Sequence, residues 1–101
     1  MYLDDIASEI AAELRPIVIA PMLLRSYAVL LRVKGVDVTS EDIHDAWVGW
    51  FADVDPGHPG LRPFEELDEA MRRADEPFAA AVRAVAARHA IHHHRSGQLP
   101  R

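Results

Sequence analysis

The sequence predicts an all-α fold: a single small domain of about four helices, with a proline-rich loop between the third and the fourth. Three observations predict it. Apolar residues recur three and four apart in separate windows, which marks one buried face of a helix. Prolines, glycines and capping residues stand where those windows begin and end. No window sustains the period-two alternation of a half-buried strand.

The first helix is expected from about Leu3 to Leu14, because Leu3, Ile6, Ile10 and Leu14 share one face. Asp4 and Asp5 lie in its first turn, where they complement the helix dipole, and Pro16 ends it. The second is expected from about Pro21 to Lys34 and carries the widest apolar face: Leu23, Tyr27 and Leu30 on one stripe, Leu24, Ala28 and Leu31 on the next. That width makes it the central helix. Lys34 followed by Gly35 reads as a helix end with glycine in the left-handed position, and Val36 as its apolar contact.

"DVTSEDIHDAW" opens the third helix, with Thr39 or Ser40 as N-cap. It is expected to run to about Ala52 with Ile43, Trp47, Trp50 and Phe51 on its apolar face. "DVDPGHPG", residues 53–60, is a turn-rich loop. "LRPFEEL" follows as a short extended or single-turn segment, and a turn of helix is expected over about 68–73. In the last long helix Asp75 is the expected cap, Pro77 lies in the first turn, and Phe78, Val82, Val85 and His89 face the core. Residues 1–95 form the domain, and 96–101 a flexible tail.

Composition removes whole classes of function. The absence of cysteine excludes disulfide scaffolds, thiolate metal sites and thiol catalysis. "MYLDDIASEI" carries acids where a signal peptide carries positive charge. "PIVIAPMLLRSYAVLL" is interrupted by Pro21 and Arg25 and falls short of the roughly 20 apolar residues a membrane span needs. A cytoplasmic protein without membrane contact is expected (in the host cytoplasm, were it phage-encoded). The net charge is −5, Lys34 is the sole lysine, and acids flank many of the arginines. Nucleic acid binding needs clustered basic residues, so none is expected.

The chemistry-bearing residues are sparse. No serine sits in a Gly-x-Ser-x-Gly elbow, and "DPGHPG" lacks the Lys-Ser/Thr of a phosphate loop. His44 and Asp45 are adjacent, so on a helix they point about 100° apart and cannot face each other. The acids Glu41, Asp42 and Asp45 around His44 read as a solvated face. No enzyme and no cofactor are expected. His89 and His93 have a spacing that can ligate zinc or nickel, with His92 and His94 beside them. No acid or further ligand type lies in that segment, and imidazoles at a helix C-terminus favour the dipole; no metal site is expected. Trp47 and Trp50, three apart on the third helix, read as core anchors, with one indole open beside the loop as the sharper alternative.

The order "IHDAW", a loop, "HPGLRPFEEL", a charged turn and "FAAAVRAV" resembles the RyR domain, the repeat of ryanodine receptors that also occurs as single small bacterial and phage proteins. The matching positions are Ile43, His44 and Trp47, then His58, Pro59, Leu61, Pro63, Phe64 and Leu67, with Val82 and Val85 less specific. The likeness covers about Ser40 to Val85. The loop before His58 is shorter than in receptor repeats, and Arg62 replaces an apolar residue. "YAVLLRVKGVDVTSEDIHDAW" also resembles small actinobacterial and actinophage proteins. The resemblance implies regulatory modules rather than enzymes, and bacterial members that sense nucleotide-like ligands. A site between tandem repeats would need a homodimer here.

The functional expectation is a non-enzymatic RyR-like binding module that recognises a small nucleotide-like ligand at the surface of the third helix and the proline loop. His44, Trp47, Trp50, His58 and Arg62 are its candidate ligand-binding residues: an indole stacks, Arg62 pairs with an anionic group and a histidine hydrogen-bonds. Ile43, Pro59, Leu61, Pro63, Phe64 and Leu67 are structural anchors. The alternative is a phage or bacterial accessory protein that acts through protein–protein contacts, as a homo-oligomer.

Overall fold

The structure, a computed structural model, describes residues 2–98, with side chains up to His89. It is all-helical: α1 (Leu3–Leu14), α2 (Pro21–Lys34), α3 (Ser40–Val54), the short α4 (Glu69–Ala74) and α5 (Glu76–Gln98), with single 3₁₀ turns at Gly35–Asp37 and Phe64–Glu66. Among the described residues there is no strand. α5 runs past the expected boundary at residue 95, so part of the expected tail is helical, and 99–101 lie outside the described residues.

The apolar periodicities become the core. Ile6, Ile10 and Leu14 of α1 meet Leu23, Tyr27, Ala28 and Leu31 of α2, Ile43 of α3, and Ala79, Val82, Val85 and Ala86 of α5. Each fully buried aliphatic side chain contributes about 1.5–3 kcal/mol. α2 packs against α1, α3 and α5, but α5 packs against α1, α2, α3 and α4, so the central place expected for α2 is shared with α5. Alanines on the buried face of α5 let that helix approach closely. Phe78 and His89, expected in the core, are half-buried at its edge, and His89 Nε2 pairs with the Glu9 carboxylate of α1.

The helix ends follow local chemistry. Arg15, before Pro16, leaves the helical region at φ −52, ψ 141. Thr39 is the α3 cap in a full capping box: the Asp42 N–H donates to Thr39 Oγ1 at 3.2 Å, and the Thr39 N–H donates to Asp42 Oδ2 at 2.9 Å. Lys34 Nζ adds a 2.7 Å ion pair to the same carboxylate.

Two expectations at the α2 end are corrected. Gly35 has φ 58 but ψ −125, a conformation outside the left-handed helical region and open to glycine. The apolar contact is made by buried Val38, while Val36 stays 49% exposed, because the 3₁₀ turn carries the chain one step further before it folds inward. Asp75, expected to cap α5 with its side chain, has helical φ −85, ψ −17. Its carbonyl accepts from the N–H groups of Phe78 and Ala79, and its carboxyl turns toward α3.

Candidate functional site

α3 and the chain that returns from it build one wall. Residues three and four apart on α3 stack along the helix: His44 lies 5.8 Å from Trp47, and Trp47 lies 4.9 Å from Phe51 with planes 15° apart. The loop then brings His58 edge-on to both Trp47 and Phe51, at 5.4 and 5.0 Å. His58 Nδ1 accepts the Gly60 N–H at 2.9 Å, which leaves the ring proton on Nε2. Gly60 is buried against Trp47: a Cβ there would meet Trp47 Cη2 and His58 Nδ1 at 3.1 Å. Glycine is therefore what lets the loop lie flat on the indole.

Glu41 and Asp45 stand on a solvated face, as read, but His44 between them turns inward. It is 3% exposed, while its neighbour Asp45 is exposed. Its Nε2 donates to the Arg62 carbonyl at 2.5 Å, because a carbonyl can only accept. Its Nδ1 faces Asp75 Oδ2 at 3.7 Å, beyond a hydrogen bond. The acid that meets His44 thus comes from the start of α5.

Opposite this wall stand the α1–α2 connection, α2 and the start of α5. Together they enclose a cleft of about 430 Å³. Its apolar lining includes Ile19, Leu23, Trp47, Trp50, Leu67 and Phe78; its polar groups are Tyr27, His44, His58 and Asp75. Burial pushes the Asp75 carboxyl above the ordinary carboxylate range, and His44 partly opposes that. Burial, then the Asp75 charge, pushes the Tyr27 hydroxyl up as well, so it stays protonated.

Four of the five candidate ligand residues, His44, Trp47, Trp50 and His58, line this cleft; Arg62 does not. Its side chain is exposed, and its carbonyl holds His44. Among the anchors, Ile43 and Leu67 are buried and Leu61 and Phe64 half-buried, whereas Pro59 and Pro63 are exposed and shape the loop. Phe64 lies 6.0 Å from His44. The segment is pinned by Arg72, which donates to the carbonyls of Leu67 (2.9 Å) and Glu65 (3.2 Å).

Sequence reasoning missed Tyr27, Phe78 and Asp75 as cleft residues. Tyr27 and Phe78 had been placed on core stripes, and Asp75 carried the local signature of a cap. The side chains of His92, His93 and His94 lie outside the described residues; among the described ones, no group of three or more acidic or imidazole side chains is arranged around a metal position.

A family model described as a domain of unknown function, DUF7701, matches residues 1–87. The chain belongs to the DUF7701 family. No curated protein and no solved structure matches it. The DUF7701 match overturns the RyR resemblance: it covers the whole stretch that carried the likeness, and no RyR domain is found there. The shared aromatic residues and leucines pin a returning loop to helices, and the prolines shape it. Packing alone asks for such residues, so they carry no family identity. The tandem-repeat argument for a homodimer falls with it. The part shared with DUF7701 includes every residue that lines the cleft. No helix among the described residues is long and apolar enough to cross a membrane.

Proposed function

We propose that this DUF7701 domain is a non-catalytic binding module that takes a small, flat, nucleobase-like ligand into the cleft between α3 and the start of α5. The cleft itself is the observation that carries this reading: about 430 Å³, mostly apolar, with both tryptophans and four polar side chains converging on it. Ligand sites have that size and that mixture. Trp50 is the ring for stacking. His44 and Phe51 crowd Trp47 along the helix, whereas Trp50 has a ring contact to Phe51 at 5.5 Å. His58 offers a hydrogen bond from Nε2. No lysine or arginine lines the cleft, which favours a base or nucleoside over a phosphorylated nucleotide.

The test is a titration with bases and nucleosides, followed by tryptophan fluorescence and thermal shift. A ligand present at 100 times its Kd adds about 2.7 kcal/mol of stability. Saturable quenching that Trp50→Ala removes supports the reading; flat titrations across the panel refute it.

A second reading has its own observation. Met22 (72% exposed), Val29, Val33 and Val36 are exposed apolar residues along α2 and the turn that follows it. Such a patch serves a protein partner or a second copy. Light scattering over a concentration series separates this reading from the first.

A further inference from the structure

We infer that the cleft selects a cation: an aromatic amine or amidine whose ring lies on Trp50 and whose charged end reaches Asp75. This rests on the reading of the cleft as a ligand site and adds the sign of the ligand's charge.

The argument starts from which charges the cleft holds. Asp75 is the acid in its lining, and no arginine or lysine joins it there. Arg62 of the adjoining loop is exposed and does not line the cleft, and three further cations have partners of their own. Arg72 serves the carbonyls of Leu67 and Glu65. Arg83 holds the Val38 carbonyl and Glu76. Lys34 pairs with Asp42. An anion entering the cleft would meet a carboxylate in apolar surroundings with no basic side chain to offset the repulsion. A cation would meet that carboxylate, the π face of an indole and the oxygen of a hydroxyl that stays protonated.

Asp75 also has a reason to accept a cation. Its side chain is 19% exposed, and its neighbour His44 stands 3.7 Å away with its other nitrogen tied to the Arg62 carbonyl. That distance leaves the carboxylate without a close charge-assisted bond from the imidazole. A charge half-buried in an apolar wall carries a desolvation cost, and a ligand ammonium at hydrogen-bond distance offsets it. Trp50 and Asp75 both line the cleft, so the probe carries a flat ring and an amine.

The test uses three ligands with one ring: 1-naphthylmethylamine, 1-naphthylmethanol and 1-naphthylacetate. Binding is read from the indole N–H signals of Trp47 and Trp50 by NMR. The amine is expected to bind about 10-fold or more tightly than the alcohol, as one charge-assisted hydrogen bond provides, and the acetate most weakly. Asp75→Asn removes the preference for the amine over the alcohol; Asp75→Glu keeps it. Far-UV circular dichroism shows that both variants fold. Equal affinities for amine and alcohol overturn the charge inference and leave the ligand site standing; His44 would then already serve as the counter-ion. A preference for the acetate also overturns it. If none of the three moves the indole signals, the charge inference fails, while the ligand site stands or falls with the base and nucleoside titration.

Discussion

At the scale of single residues, Asp75 is the position where stability and binding conflict. Its folded carboxyl is pushed up by burial, against the opposing pull of His44. A carboxyl raised on folding holds its proton in the native state where the unfolded chain has released it. Its contribution to stability is therefore full below the ordinary carboxylate range and is lost as pH rises through that range toward the raised value. Asp75→Asn should remove that loss, so the stability difference between variant and wild type, measured by urea melts, should move in the variant's favour as pH rises from 3 toward 7. No pH-dependent difference would contradict the burial argument. His44 and Asp75 also show where local reading of the sequence ends. Their neighbours in sequence are acids and helix-start signals, and both side chains were read by that company. Their partners lie on other elements, the Arg62 carbonyl for one and the α3 wall for the other, and no spacing rule reaches that far.

At the scale of elements, α1 and α2 were legible to their end residues, because apolar spacing, Pro16, Pro21 and Gly35 are all local signals. The α3 start was legible for the same reason, and the structure adds what braces it. Asp42 is pushed up by burial, but the hydrogen bonds from Lys34 and Thr39 outweigh that and hold its carboxyl below the usual range. Glu76 is held below it by the Ser40 hydroxyl, then by Arg83, against a smaller effect of burial. A lowered carboxyl contributes stability that is present above the ordinary range and is lost as pH falls. Asp42→Asn and Glu76→Gln should each flatten the acid limb of the stability profile. Wild-type acid sensitivity in either variant would count against these braces. At the other end of the same connection, Gly35→Ala meets no atom within 4 Å. Its cost of about 1 kcal/mol or more is conformational, and a denaturant melt that shows no loss would contradict the positive φ.

For the whole molecule, helices legible as separate amphipathic units close around one core that α2 and α5 share, and the space they leave is the cleft. A cleft has no sequence signature of its own. Trp47, Trp50 and His58 could be picked out because bulky and polar groups crowd one stretch, whereas Leu23, Tyr27 and Phe78 of the facing wall carry the spacing of core residues. The DUF7701 match spans both walls, so any function that resides in the cleft belongs to the shared part of the chain. The most direct measurement is a set of intermolecular nuclear Overhauser contacts between bound 1-naphthylmethylamine and the protein. Contacts from the ring protons to Trp50, Leu23 and Phe78 are the predicted result. Saturable binding with contacts to Met22 and Val33 instead would contradict the cleft as the functional site.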